Sequence, residues 1–370
     1  MKVFITGDYC PINRADLSLD TSKKILKDDF KVLLNEADFR LTNLECPLTS
    51  HDNAIIKSGP SLKADPINIL FLKENKFDIV TLANNHIMDY GSAGLKETLI
   101  HLDDNNIEYV GAGKINTERD IIYKIKNDVK LAIINVCENE WSTKNREGFK
   151  ASGFSEMDMF YLISKAKRKA DKVIVIHHGG HEMYNLPSPR LKKTFRYFID
   201  CGADAVVNHH THCIGGEEVY KNAPIFYSLG NFIFDNPKQR NTIWNYGMAV
   251  TLSISKEKIT YKKHYFEQFN RDAVIQDIDE RNLPYNIENL NRIIKNDSTL
   301  NEKFDDFVNR KQALYNAYIE PVKSRYILGL INKGFLPSFW NKRKKIILSN
   351  LISCESHREI LSNILNRKID

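Results

Sequence analysis

The 370-residue chain has no run of about eighteen apolar residues, the length that a membrane-spanning helix needs. Its start, MKVFITGDYC, has no basic segment followed by a long apolar stretch, so it predicts a core strand and no export signal. Low-complexity tracts and an excess of Pro or Gly are also missing, which excludes a disordered or fibrous protein. We therefore expect a cytoplasmic globular protein with one large core and a smaller appended unit.

The six cysteines are scattered, without a CxxC pair or a regular framework. In a protein without an export signal, this distribution predicts reduced thiols. A GxSxG sequence is also missing, so the chain has no nucleophile elbow of the serine-hydrolase type.

The net charge of +6 is concentrated in the tail, where ten Lys and Arg stand against three Asp and Glu from Pro321 onward. The nearly neutral body argues against a nucleic-acid groove, and we expect no nucleic-acid partner. Residues 335–345 combine three aromatic side chains with four cations. Two interpretations stay open: peripheral contact with an anionic membrane or acidic polymer, or a helix packed by its aromatic residues with a solvated basic start.

Strand and helix patterns alternate along the first two hundred or so residues, beginning with Lys2–Thr6 and an amphipathic helix over Thr21–Glu36. Apolar runs without intervening helices follow, up to Phe266, which favours a layered α/β sandwich over one parallel sheet. After about residue 269 the pattern becomes polar and helical. We predict two units, residues 1–268 and residues 269–370.

Six of the eleven histidines lie between Val175 and His212, in the stretches VIHHGGHE and NHHTH. Each cluster follows a short β-branched run, and Asp8, Glu45 and Asn85 likewise follow apolar runs. Polar donors at the ends of several buried strands are typical of a metal site in an α/β protein.

The donor types suit a borderline divalent cation. In an extended chain His210 and His212 lie on one face, so both rings could reach one ion. Asp8 and Glu45 supply negative charge, and Asn85 supplies a neutral carbonyl oxygen.

His86, one residue beyond Asn85, is expected to point differently and to reach the substrate. Asp89 follows three residues later and, if the segment turns, it could fix the tautomer of His86 or raise its pKa.

These motifs, in order and spacing over roughly residues 1–265, resemble the CapA-type capsule-synthesis family. The motifs are Gly7-Asp8, Asn43-Leu44-Glu45, Asn84-Asn85-His86, His178-Gly179-Gly180-His181-Glu182, His210-Thr211-His212 and Leu229-Gly230-Asn231. The family is named for poly-γ-glutamate capsule production and is similar to calcineurin-like metallophosphoesterases. The resemblance implies a four-layer α/β/β/α sandwich, here with a C-terminal helical extension, and a centre of one or two divalent ions (Mn, Zn or Fe).

The resemblance also implies a set of metal ligands, with His86 in the place of the histidine that stabilises the transition state. These candidates are Asp8, Glu45, Asn85, His178, His210 and His212. For His178, the neighbouring His177 and His181 are alternatives.

Two positions depart from the phosphoesterase pattern. Cys10 stands where those enzymes have the histidine of Asp-x-His, and it could be a thiolate ligand or a core residue. Glu45 stands in place of a bridging Asp, so both a one-metal and a two-metal site stay open.

Five further residues are candidates for holding the substrate: Lys57, Glu140, Glu182, His181 and Asn231. Simpler roles are open for most of them. Lys57 could be an exposed loop lysine, Glu182 could pair with Arg190, and Asn231 could form a turn that frames the site.

The sequence therefore predicts a metal-dependent hydrolase of a phosphoester or of an acyl or amide bond, in which metal-activated water attacks and His86 stabilises the transition state, with Asp89 beside it. Its expected partner is an acidic or phosphorylated polymer or precursor. The alternative is a non-catalytic assembly or binding factor for an acidic capsule polymer.

Overall fold

The computed structural model describes residues 1–115, 117, 120–319, 326, 327, 330, 333–336 and 341–366. The strands are β1 (Lys2–Tyr9), β2 (Phe39–Leu44), β3 (Ile79–Thr81), β4 (Glu108–Val110), β5 (Ala112–Lys114), β6 (Ile121–Lys126), β7 (Val129–Cys137), β8 (Phe149–Ala151), β9 (Lys172–His178), β10 (Ala205–His209), β11 (Glu217–Tyr220), β12 (Ala223–Phe226), β13 (Asn231–Ile233), β14 (Tyr246–Ile254), β15 (Ile259–Gln268) and β16 (Ile275–Ile278). The helices are α1 (Asp28–Asn35), α2 (Ile69–Glu74), α3 (Gly91–Asp104), α4 (Glu156–Lys167), α5 (Pro189–Asp200), α6 (Ile287–Lys295), α7 (Asp297–Ile319), α8 (Lys342–Ser353) and α9 (Glu355–Asn366).

Two mixed sheets form the body. The larger has the order β16-β15-β14-β1-β2-β3-β4, with β13 also paired to β1. Strands β1 to β4 are parallel, and β14 to β16 are antiparallel, as expected for strands that follow one another without crossover helices. The second sheet has the order β11-β12-β10-β9-β7-β6 around a parallel centre.

The side-chain alternation of β1 shows how the layers are built. Val3 and Ile5 belong to the core between the two sheets, together with Ile133 and Ile174, which pair in register in the second sheet. Phe4 points to the opposite face of the larger sheet, where its ring meets Phe30 of α1 at 5.9 Å between centroids. Burying each such side chain contributes about 2 kcal/mol.

Helices cover both outer faces, α1 to α3 on the larger sheet and α4 and α5 on the second. The architecture is therefore the predicted four-layer α/β/β/α sandwich, followed by C-terminal helices. Within the described residues, no helix combines the length and the apolar character needed to cross a membrane.

The helix starts follow from side-chain caps, each of which stabilises a helix by about 1 kcal/mol. Ser155, Ser188, Asn286 and Asn341 accept hydrogen bonds from backbone N–H groups in the first turns of α4, α5, α6 and α8.

The predicted helix over Thr21–Glu36 is wrong in its first part, because only Asp28–Asn35 is helical. Leu26 instead forms a parallel bridge with Ile275, and the Ile275 N–H donates to the carbonyl of Ile25. Pairing with β16 thus satisfies the backbone groups that a helix would have used. Because β16 pairs with β15, the larger sheet also continues past the predicted boundary at residue 268, to Ile278.

Candidate metal centre

The centre lies where carboxyl ends of strands from both sheets meet. In the larger sheet Asp8 of β1 pairs in register with Asn43 of β2 and with Asn231 of β13. In the second sheet His178 ends β9 beside His209 at the end of β10. Parallel strands in each sheet bring these polar residues to one edge, as the sequence predicts.

Gly7 allows the close approach of backbone that seats Asp8. A Cβ at position 7 would lie 1.9 Å from the carbonyl oxygen of Gly230, so only glycine fits. The next backbone N–H, that of Asp8, donates to this same carbonyl at 3.2 Å. The fully buried Asp8 then accepts a hydrogen bond from Asn43 Nδ2 at 2.7 Å on Oδ1.

Glu45 is the most unusual side chain of the centre, because it is fully buried and neither carboxylate oxygen has a hydrogen-bond partner. Its Oε1 lies 3.6 Å from His178 Nε2 and 3.7 Å from His212 Nε2. Burial, followed by the Asp8 and Glu182 carboxylates, raises the pKa of Glu45 well above its ordinary value.

His178 lies between the donors of both sheets. Its Nε2 is 3.0 Å from Asn85 Oδ1 and 3.2 Å from His210 Nδ1. Burial, with smaller contributions from neighbouring histidines, holds the pKa of His178 well below its ordinary value. The imidazole is therefore neutral near pH 7, which is the form that binds metal.

His210 and His212 reach the centre from a turn. The prediction that they share a face of an extended chain is wrong, because β10 ends at His209 and the two residues have φ of 87° and 54°. This left-handed backbone is uncommon for residues other than glycine and is typical of functional sites. Asn231 Oδ1 lies 2.9 Å from His212 Nδ1 and orients that ring, so Asn231 acts on His212 and frames the site.

Two groups of possible ligands share Glu45. In each group the ligand atoms lie within 4.8 Å of one another, and the groups are Glu45 with His178 and His210, and Asp8 with Glu45 and His212. A buried carboxylate without a partner beside neutral imidazoles fits one or two divalent cations, because a cation offsets the charge that burial penalises.

Cys10 lies outside both groups. Its thiol is fully buried, and burial together with a hydrogen bond to Cys46 raises its pKa well above the ordinary value. A thiol kept in its neutral form by core packing behaves as an apolar residue, in line with the core alternative.

His86 belongs to a second group of polar residues, beside the candidate metal ligands. Its Nδ1 lies 2.7 Å from Asp89 Oδ2, and the Lys57 ammonium contacts both Asp89 and, at 3.1 Å, the same Nδ1. The side chain of Lys57 is only 3% exposed. The structure thus pairs Lys57 with Asp89, whereas the sequence suggested an anion holder or an exposed loop lysine.

The remaining candidates surround a cavity of about 1250 Å³, which also exposes Asn85, His210 and His212. Glu182 lines it as an exposed carboxylate. His181 also lines it but stacks on Phe304 of α7, at 5.5 Å between ring centroids. Glu140 lies on the far wall, against the C-terminal helices.

The far wall of the cavity is cationic. Lys311 of α7 and Lys342 and Arg343 of α8 line it, and Lys238 lies on the loop after β13. Lys342 and Arg343 of the predicted basic segment 335–345 therefore line the cavity, whereas residues 337–340 lie outside the described part of the chain.

Sequence reasoning missed several residues that the structure brings to this region. Asn43 belongs to a motif in which the sequence assigns it no role, and its side-chain amide donates a hydrogen bond to the Asp8 carboxylate. Arg190 pairs with Glu138 and not with Glu182. Cys354 and His357 reach the cavity from beyond the predicted catalytic unit.

Comparison with known proteins places the chain among capsule proteins. The family described as "Bacterial capsule synthesis protein PGA_cap" matches residues 2–236. "Capsule biosynthesis protein CapA" of Bacillus anthracis is 34% identical over 214 residues, covering 55% of this chain and 52% of that protein. "PGA biosynthesis protein CapA" of Bacillus subtilis (strain 168) is 34% identical over 213 residues, covering 55% of each. The chain thus spans about half the length of these relatives.

Similar solved structures include a putative 5'-nucleotidase from Staphylococcus aureus, with a TM-score of 0.48 and 14% identity, covering 80% of this chain and 58% of that one. A phosphatase from Mycoplasma pneumoniae gives a TM-score of 0.46 and 17% identity, covering 78% and 98%.

Proposed function

The chain belongs to the bacterial capsule synthesis protein family, and on that premise we propose that it is a metal-dependent hydrolase in capsule or surface-polymer biosynthesis. The bond cleaved is a phosphoester or an acyl or amide bond. The single observation that carries this proposal is Glu45, a buried carboxylate without hydrogen-bond partners beside two imidazoles.

Some of the chain's residues would hold the cation, and others would orient the groups that meet the substrate. Asp8, Glu45, Asn85, His178, His210 and His212 would hold the cation or cations. A bound divalent ion supplies Lewis-acid chemistry, lowering the pKa of water and polarising the bond under attack. No seryl or cysteinyl nucleophile is required in such a reaction.

His86 is the residue proposed to meet the charge that develops on the substrate. It lines the cavity with its Nδ1 beside the Asp89 carboxylate, so Nε2 is the ring nitrogen left for the substrate, and it meets negative charge there by donating an N–H. Lys57 contacts Asp89 inside a buried ion pair and so holds that carboxylate in place.

The proposed substrate is an acidic or phosphorylated polymer or precursor. Its support is the cationic far wall of the cavity, formed by Lys311, Lys342 and Arg343 opposite the donor groups. A chain carrying repeated negative charge would gain electrostatic attraction along that wall while one of its bonds lies at the centre. A location in the cytoplasm and membrane contact through residues 335–345 stay predictions.

A test combines elemental analysis with turnover of a generic phosphomonoester and phosphodiester by the full chain. His210→Ala is expected to lose the metal of this centre and the activity together. His86→Ala should keep its metal and lose about 10²–10⁴-fold in rate, the range of a positioned acid–base or stabilising group. His51→Ala, at an exposed histidine outside the cavity, is the matched control and should behave as wild type.

The proposal fails if both active-site variants bind metal and hydrolyse as well as wild type. The second candidate function, a binding factor for an acidic polymer, is favoured by the loss of a ligand histidine at Cys10 and by the cationic wall. Stoichiometric metal without any turnover in wild type would support that candidate.

A further inference from the structure

A second cluster of metal-ligand side chains lies on the opposite wall of the cavity, between the body and the C-terminal helices. Glu140 follows β7, Cys354 lies at the junction of α8 and α9, and His357 lies in the first turn of α9. One ligand atom from each of the three lies within 4.8 Å of the other two. Glu140 thus meets two residues that follow it by more than two hundred positions, and the three side chains offer three different donor types.

The distances suit a small cation. Tetrahedral Zn²⁺, with bonds of about 2.0–2.3 Å, sets its ligand atoms about 3.3–3.8 Å apart. Cys354 Sγ already lies 3.8 Å from Glu140 Oε1. Only a modest rotation of side chains would therefore close the group around an ion.

The neighbours of His357 support a ligand role. The Tyr315 hydroxyl lies 2.7 Å from His357 Nδ1. If that hydroxyl accepts the Nδ1–H, the lone pair of Nε2 is left for a metal, which is the usual arrangement around a ligating histidine.

Glu138 Oε2 lies 3.7 Å from the Cys354 thiol, but this carboxylate already accepts hydrogen bonds from other groups. Arg190 donates to it, and the backbone N–H of Ser356 donates to it at 3.3 Å. Three protein ligands therefore remain, and the adjoining cavity can supply water as the fourth.

We propose that Glu140, Cys354 and His357 form a zinc site distinct from the Asp8–Glu45 centre. A thiolate with an imidazole and a carboxylate selects Zn²⁺ over Mg²⁺ or Ca²⁺, because a soft sulfur ligand disfavours the hard cations. The ion would tie the segment after β7 to the α8–α9 junction and so hold the far wall of the cavity in place. The inference is independent of whether the first centre hydrolyses anything.

Cobalt substitution of the metal-free full chain tests this site. Co²⁺ bound to a thiolate gives a near-ultraviolet charge-transfer absorption that carboxylate and imidazole ligands alone do not give. Wild type should show this band, and Cys354→Ser should lose it together with one metal ion per chain. His357→Asn should weaken the band. Cys10→Ser is the matched control, a buried thiol outside the cluster, and should keep the band in full.

Absence of the band in wild type, or its persistence in Cys354→Ser, overturns the proposal. So does loss of the band in Cys10→Ser with retention in Cys354→Ser, because the thiolate ligand would then belong to the first centre. Failure here is distinguishable from failure of the proposed function, since His210→Ala should keep the charge-transfer band whatever happens to the first centre.

Discussion

At the scale of single residues, Glu45 is the side chain that points most clearly to a metal site. A carboxylate that is fully buried without a hydrogen bond costs free energy in the metal-free protein, and Asp8 adds repulsion. In natural proteins, buried polar groups without hydrogen-bond partners are rare and are found at functional sites and ion-binding sites. The same neighbourhood holds imidazoles whose pKa burial lowers, so the site combines charge for a cation with neutral nitrogen donors.

Glu45→Gln should separate metal binding from stability. The substitution removes the repulsion with Asp8, so the free energy of unfolding of the metal-free protein should rise by about 1 kcal/mol. Elemental analysis should show loss of the metal held by this centre, leaving at most the one ion proposed for the Glu140, Cys354 and His357 group. Urea unfolding of metal-free protein measures the first effect, with Glu302→Gln, at an exposed carboxylate of α7 outside the cavity, expected to unfold as wild type does. A clear loss of stability in metal-free Glu45→Gln, or a metal content equal to that of wild type, would contradict this account.

The types of the donor residues could be predicted from sequence, but their partners could not. Donors after apolar runs predict polar groups at strand ends, which requires only local pattern. The backbone of His210 and His212 depends instead on the turn that follows β10, and local propensity does not specify it. The pairing of Lys57 with Asp89, and the approach of Cys354 to Glu140, are contacts between distant segments that no spacing rule reports.

At the scale of elements, the long periodic segments were predictable and the short ones were not. Helices α5 and α6 begin at caps visible in the sequence, Ser188 and Asn286. Strand β13 is three residues long and exists because Asp8 offers it a parallel partner. The predicted helix over Thr21–Glu36 does not form near Leu26, because the backbone there pairs with Ile275 of β16. This pairing is more favourable than an isolated helical turn.

Arg14, in the segment after β1, is joined through hydrogen bonds to Asp235 after β13 and to the backbone that follows β15. The guanidinium of Arg14 donates to both carboxylate oxygens of Asp235, at 2.8 and 3.0 Å, and to the carbonyls of Phe269 and Asn270. Burial alone raises the pKa of Asp235, but the hydrogen bonds from Arg14 and the charges of Arg14 and Arg240 hold it below its ordinary value.

Asp235→Asn should therefore lower the free energy of unfolding at pH 7 by about 2 kcal/mol, less than for a fully buried pair because Arg14 is partly exposed. Because the folded pKa is lowered, the contribution is complete above the ordinary Asp pKa and is lost as the pH falls through the lowered value. Urea unfolding at neutral and acid pH measures both effects.

The matched control is Asp279→Asn, which breaks an exposed pair with Arg281 and should leave the free energy of unfolding unchanged within error. If Asp235→Asn is as neutral as this control at pH 7, the pair does not join the elements as described.

At the scale of the whole molecule, the cavity exists because the C-terminal helices lie across the mouth of the centre. The body contributes His86, Glu182 and His212 to the cavity, and α7 and α8 contribute the cationic wall. The uneven charge of the sequence indicates a basic tail, but only the packing of α7 and α8 shows that Lys342 and Arg343 of this tail line the same cavity as the donors, together with Lys311 before it. The predicted division at residue 268 stays a prediction.

Reversing the charge of that wall should weaken binding of an acidic polymer. The triple variant Lys311→Glu, Lys342→Glu, Arg343→Glu should bind a poly-carboxylate chain at least about tenfold more weakly at low salt, with a smaller dependence on salt than wild type. A fluorescently labelled acidic peptide in titrations at two ionic strengths measures both quantities.

The control triple, Lys24→Glu, Lys169→Glu, Lys256→Glu, changes net charge equally at exposed positions outside the cavity. Equal losses in the two triples would attribute the effect to net charge and remove the role assigned to the wall.

The most direct test of the metal centre is an anomalous difference map from crystals of the full chain grown with Mn²⁺. The account predicts a peak within about 2.0–2.3 Å of Glu45 and of His178 or His210, with or without a second peak beside Asp8 and His212. Crystals whose map is empty among these side chains, with ordered density for all of them, would contradict it.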